Sequence, residues 1–190
     1  MIYITIGALG FLVIHFFDIV SLKRIPKAKP YTWVLGSGLI IYSLIRIGFT
    51  PNKLLLPIWS TWLGWGLLFV SLSLLVYSLF INLPFRKTYI ATGVSDRLIT
   101  TGLYALVRHP WVHFFSLLLL SLVLVSRSTL LLIAAPIWIL LDILLVVVQD
   151  KFFFSRMFDG YDDYRRETPM LLPNRRSVNT FIRSLRQASP

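Results

Sequence analysis

Residues 111–148 read WVHFFSLLLLSLVLVSRSTLLLIAAPIWILLDILLVVV, and the fold follows from how this stretch divides. Two apolar runs, Trp111–Val125 and Thr129–Val148, are separated only by Ser126-Arg127-Ser128. An apolar run of about 20 residues crosses a bilayer as a helix. A three-residue connection allows nothing but reversal, so the two runs form an antiparallel helical hairpin. The residues just before Trp111 and just after Val148 are therefore expected on one side of the membrane, close together. Pro136 falls inside the second run, where a kink is expected and neighbouring helices can tolerate it.

Working outward, three more apolar runs precede the hairpin: Ile2–Leu22, Tyr31–Phe49 and Pro57–Leu83. The first has neither a basic start nor a small-residue cleavage site after it, so it reads as a retained span. Trp59, Trp62 and Trp65 crowd the start of the third, as in an interfacial aromatic belt. Between the first two lie Lys23, Arg24, Lys27 and Lys29, with Pro26 and Pro30 expected to keep that segment out of a helix. The expected fold is all-α, with five transmembrane helices in one domain over 1–190. Its parts are three N-terminal spans on the substrate side (1–83), a cofactor-binding part (84–173) and an interfacial basic tail (174–190). In the tail, Val178, Phe181, Ile182 and Leu185 lie at helical spacing among Arg175, Arg176, Arg183 and Arg186. That pattern suits a helix lying on an anionic membrane surface.

Composition agrees. The chain is 56% hydrophobic and 14% charged, with a mean hydropathy of +0.75, against about 25% charged residues in soluble domains. A soluble enzyme domain and a disordered chain are excluded. The absence of cysteine removes disulfides, thiolate metal sites and thiol nucleophiles. The net charge is +11, and sixteen of the nineteen Lys and Arg residues fall in the 23–29 loop, the 84–110 segment and the tail. This asymmetry predicts an N-terminus outside and a cytoplasmic C-terminus, and it accounts for the charge without a nucleic-acid partner. Membrane lipids are the expected contacts; the oligomeric state is left open.

Polar residues able to do chemistry cluster only at the expected cytoplasmic end. One block is Arg97 to Pro110, with Thr101-Gly102-Leu103-Tyr104 and Arg108-His109-Pro110. The other is Gln149-Asp150, followed by Tyr161, Tyr164, Pro169 and Pro173. Together they resemble the cofactor motifs of the isoprenylcysteine carboxyl methyltransferase and phospholipid N-methyltransferase superfamily, small membrane enzymes that use S-adenosylmethionine. The resemblance covers roughly Arg97 to Pro173, and membrane steroid-type reductases share a related C-terminal block. Val112 stands where the family usually has Tyr, and Gln149-Asp150 where it usually has a Glu pair.

The resemblance implies methyl transfer from S-adenosylmethionine to a hydrophobic, membrane-associated carboxylate or amine, a lipid or a lipidated substrate. Gly102, Leu103, Tyr104, Arg108, His109, Pro110, Gln149 and Asp150 would bind the cofactor; His109, Asp150 and Arg108 would be catalytic. Physically, Arg108 and His109 suit a carboxylate, Asp150 an ammonium, and Tyr104 an adenine or ribose. His109 or Asp150 is the available base. The alternatives are a catalytically degenerate protein of the same fold and an NADPH-dependent membrane reductase; a transporter would show internal symmetry, which the chain lacks. Each residue also has a plainer reading. Arg108 and His109 could be topology-setting charges, Asp150 could pair with Lys151 or Arg108, and Tyr161 and Tyr164 could be structural. Asp142, inside a span, is either functional or paired with Arg46. His15 and Asp18 form an interfacial pair or part of the substrate entrance. His113, one turn from His109, has no further ligands around it, so no metal site is expected.

Overall fold

The computed structural model describes residues 1–25, 27–90 and 98–187, so Pro26, Asp96 and Arg97 lie outside the described residues. Nine α-helices follow in chain order: α1 (Ile2–Leu22), α2 (Ala28–Gly48), α3 (Ile58–Val76), α4 (Leu103–Leu106), α5 (Pro110–Ser126), α6 (Thr129–Val148), α7 (Phe154–Met157), α8 (Tyr161–Glu167) and α9 (Arg175–Gln187). A π-helical turn, Tyr77–Ile81, extends α3, and another, Gln149–Phe153, joins α6 to α7. Four helices are long and apolar enough to cross a membrane, counting α6 with its extension to Met157. The fifth, α5, has 17 residues; at about 1.5 Å per residue it is roughly 25 Å long. The protein is a helical integral membrane protein.

α5 and α6 form the expected hairpin. Arg127 turns the chain in a left-handed conformation (φ 54°), and the Ser128 hydroxyl caps α6 by accepting from Leu131 N at 3.2 Å. The loop after α2 closes the same end: Leu54 N donates to Arg127 O, and Thr129 N donates to Asn52 O. Pro136 sits within an unbroken α6. One expectation fails at the start of α2. Pro30 lies in its first turn, not before it; a first-turn N–H has no intrahelical acceptor, so proline there sacrifices nothing.

Small residues set the helix contacts. Gly10 of α1 meets Gly36 of α2 so closely that a Cβ on either would lie 2.8 to 3.0 Å from the other's carbonyl oxygen. On α3 the buried residues are Ser60, Gly64 and Ser71, and Gly64 packs on Leu124 and Val125 of α5. The Trp59, Trp62, Trp65 and Phe69 side chains of α3 point outward, where lipid would cover them. Lipid removes the hydrophobic drive that sends large side chains inward, leaving close packing of small ones to hold the seam.

α6 is the central helix. Leu131, Ala135, Trp138, Asp142 and Leu145 form its buried stripe. Trp138 fills the notch at Gly7 and donates to Ile4 O at 3.2 Å, while Gln149 reaches Asp18. α1 and α6 therefore run parallel. Arg46 stands at the opposite end of the bundle from the polar blocks and donates to Tyr3 Oη at 2.8 Å. Asp142 lies thirteen residues into α6, about 20 Å along the axis from that end, so the Arg46–Asp142 pair does not form. Asp142 is buried, and its Oδ2 has no hydrogen-bond partner among the described residues. At the site end, Trp33, Phe80, Phe85 and Tyr89 pack ring against ring at 4.8 to 6.0 Å, sealing the gap between α2 and the end of α3.

Candidate active site at the end of the helical hairpin

The segment leading into α5 is built from the backbone outward. Gly102 has φ +61° and ψ −136°, a conformation open essentially to glycine alone. A Cβ there would also lie 2.6 Å from Asn82 Oδ1. Asn82 grips the turn from both sides: its Oδ1 accepts from Leu103 N at 3.0 Å, and its Nδ2 donates to Thr101 O at 3.3 Å. One helical turn later, Tyr104 Oη donates to Ser78 O and Tyr104 O accepts from Tyr164 Oη at 2.6 Å. The chain then runs extended through Val107 to His109, and Pro110 opens α5. Arg108 N donates to Pro169 O at 2.9 Å and His109 N to Met170 O at 3.2 Å, which fastens the tail alongside.

Side chains close the ring. Arg108 forks onto Asp150: Nε to Oδ1 and Nη2 to Oδ2, each at 2.8 Å. Its Nη1 donates to the carbonyls of Arg165 and Thr168. Four of the five guanidinium N–H groups are thus engaged. Tyr161 Oη donates to Asp150 Oδ1, and Arg165 Nε approaches Asp150 Oδ2 at 3.6 Å. Burial, reinforced by that hydrogen bond, pushes the Tyr161 phenol well above its usual value, so it stays a donor. The two blocks meet as the hairpin requires, with Asp150 taking Arg108 as its partner.

His109 is fully buried, between an edge-on Trp111 at 4.8 Å and a stacked Phe154 at 5.7 Å. Neither ring nitrogen has a hydrogen-bond partner; Nε2 stands 3.5 Å from Asp150 Oδ1, beyond a good hydrogen bond. Burial, the largest influence, holds the imidazole below its usual 6.5, with Asp150 opposing and Arg108 adding to the effect. Gln149 points the other way. Its Nε2 donates to both oxygens of Asp18 on α1, at 3.1 and 3.0 Å, and its Oε1 is buried without a partner. The π-helical turn at 149–153 lets consecutive residues reach α1 and the Arg108 segment.

A model of the phospholipid methyltransferase family matches residues 59–159, which runs from α3 through the hairpin to the loop before α8. The match includes Gly102, Arg108, His109, Gln149 and Asp150. The chain belongs to the phospholipid methyltransferase family. Searches of curated proteins and of solved structures returned no match. Membership makes the protein a membrane methyltransferase by family.

The donor set suits the cofactor that such enzymes imply. At this end of the bundle, His109 Nδ1 and Nε2 and Gln149 Oε1 are buried polar atoms still lacking partners, and Arg108 keeps one N–H. An amino-acid moiety and a heterocycle could satisfy such groups. Gly102, Leu103 and Pro110 serve through backbone geometry, and Tyr104 is committed to Ser78. Three contributors escaped the sequence reading. Asn82 and the tail carbonyls bind through backbone contacts with no side-chain signature, and Trp111 looked like the first residue of a span. Among the described residues no group of His, Asp and Glu could hold a metal ion.

Proposed function

We propose that the protein transfers a methyl group from S-adenosylmethionine to a hydrophobic acceptor dissolved in the membrane, at a site formed by the Arg108–Asp150 end of the hairpin. The observation that supports this most is the convergence of the two motif blocks on one buried network, inside the segment that the family model matches. The cofactor supplies a methyl group already activated on a sulfonium. The protein's contribution is position and dryness. Arg108 and Asp150 hold the tail over the hairpin. The remaining Arg108 N–H and His109 receive a carboxylate, Gln149 Oε1 accepts an N–H, and half-buried Trp111 offers an aromatic surface.

His109 is neutral near pH 7, because burial disfavours its charged form. It can therefore take a proton from an acceptor that must lose one. The acceptor enters sideways from the bilayer, carboxylate and amine acceptors both remaining within this reading. We place the site end in the cytoplasm, from the charge asymmetry of the loops.

The test is a thermal shift of the detergent-purified protein with S-adenosylmethionine and S-adenosylhomocysteine. A ligand that binds the native state alone raises the melting temperature. Stabilisation that disappears in His109→Gln and Arg108→Ala supports the reading. Stabilisation by NADPH alone would replace it with a reductase, and inertness to all three ligands at millimolar concentration would leave a protein without this chemistry.

A further inference from the structure

Asp18 is a second carboxylate at the site, contributed by α1. It is 1% exposed. Both its oxygens take the same Gln149 amide nitrogen, at 3.1 and 3.0 Å. The other group near it is His15 Nδ1, on its own helix, at 3.9 Å. A carboxylate this buried is stable only when neutralised or paired, and one neutral amide supplies no charge. Beside it lies the unpartnered Gln149 Oε1, on a side chain 7% exposed. The next residue is Asp150, locked to Arg108. The gap between α1 and the end of α6 therefore presents two acceptors and one uncompensated negative charge. A ligand fitting it carries several N–H donors and a positive charge.

We propose that Asp18 and Gln149 Oε1 form an alkylammonium-binding subsite opening toward the Arg108–Asp150 network. The subsite rests on the methyltransferase reading for its purpose but not for its chemistry. Two groups could bring the ammonium: the amino-acid end of the cofactor, or the headgroup of a membrane acceptor. Asp18 is a positioning residue in either case, bringing the cation beside the reacting centre.

The substitution Asp18→Asn separates charge from structure. Asparagine still accepts from Gln149 Nε2, and its own amide can donate to the orphan Gln149 Oε1. Folding is kept or improved while the charge is lost. In the double variant Asp18→Asn/Gln149→Glu, the carboxylate returns on the α6 side of the same hydrogen bond.

The experiment uses the full chain in nanodiscs and two pairs of probes. One pair is S-adenosylhomocysteine and its N-acetyl derivative, which lacks the ammonium. The other is short-chain phosphatidylethanolamine and phosphatidylglycerol. The wild type should prefer the ammonium-bearing member of one pair by roughly ten- to hundredfold, the range of a charged hydrogen bond. Asp18→Asn should erase that preference without lowering the melting temperature, and the double variant should restore it. The pair that responds identifies the source of the ammonium.

No preference in either pair, a preference that survives Asp18→Asn, or a loss that merely tracks a lowered melting temperature would overturn the subsite. If the wild type binds neither homocysteine derivative but shows an Asp18-dependent lipid preference, the cofactor reading falls and the subsite stands.

Discussion

Arg108 is where chemistry and architecture meet in one side chain. Its fork to Asp150 is buried on both sides, with Arg108 8% and Asp150 4% exposed, and its other nitrogen holds two tail carbonyls. Removing one partner of a buried pair leaves the other uncompensated, at about 3–5 kcal/mol. Arg108→Ala and Asp150→Ala should each destabilise by that amount in denaturant titrations. The double variant should cost clearly less than their sum; full additivity would mean that the pair is not coupled. His109 gives a pH signature. Its folded pKa is lowered by burial, so it is neutral in the native state while the unfolded chain begins to protonate near 6.5. The stability it contributes is complete above that value and is lost as pH falls from about 6.5 toward the folded pKa. Midpoints measured between pH 7.5 and 5.5 should slope downward for the wild type and less steeply for His109→Gln. An unchanged slope would show that another group governs acid stability. The meeting of Arg108, His109 and Asp150 was legible beforehand, because hairpin reversal fixes which residues share an end. The use of Arg108 on backbone carbonyls was not, since a carbonyl acceptor leaves no mark in sequence. The supposed Asp142–Arg46 pair shows the complementary error: charge matching ignores axial distance.

Among the elements, hydropathy located every span but not its buried face. α3 hides Ser60, Gly64 and Ser71 and exposes its tryptophans, the reverse of a water-soluble helix. Length and apolarity are the same on both faces of such a helix, so only the small residues carry the packing information. Two α2 glycines make the point testable. Gly36 touches Gly10 and Ile14 of α1, whereas a Cβ on Gly38 would meet nothing within 4 Å. Gly36→Ala should force α1 and α2 apart at a cost of about 1–3 kcal/mol, in the range of overpacking. Gly38→Ala should be neutral or stabilising by up to about 1 kcal/mol, since alanine is the better helix former. Thermal unfolding in detergent distinguishes them, and equal effects would mean that the Gly10–Gly36 crossing is not tight. The π-helical turn at Gln149–Phe153 could not be read in advance either; α6 carries no proline or glycine near its end to announce it, and only tertiary contacts to Asp18 and Arg108 reveal it.

At the scale of the whole molecule, one end is held by polar networks and basic side chains, and the other by a short loop closure around Ser128. α9 extends the basic end. Val178, Ile182 and Leu185 form an exposed apolar strip, while Ser177 is buried against the body. Arg175, Arg176 and Arg183 are exposed on the same helix, and the Arg176 pair with Glu167 is too solvated to neutralise much. Such a helix is stable against a surface that takes the strip into its acyl boundary and offers negative charge above it. The expected outcome is that α9 amides exchange more slowly in nanodiscs containing phosphatidylglycerol than in pure phosphatidylcholine. Each arginine contributes roughly fivefold near an anionic surface, and the difference should shrink as salt shortens the screening length. Replacing Arg175, Arg176 and Arg183 by Gln should remove the lipid dependence but leave exchange in α5 and α6 unchanged, because the tail is fastened to the hairpin through Arg108 and not through α9. Lipid-independent protection of α9 in the wild type would mean that the helix is held by the protein alone, and that its arginines serve topology without touching the membrane.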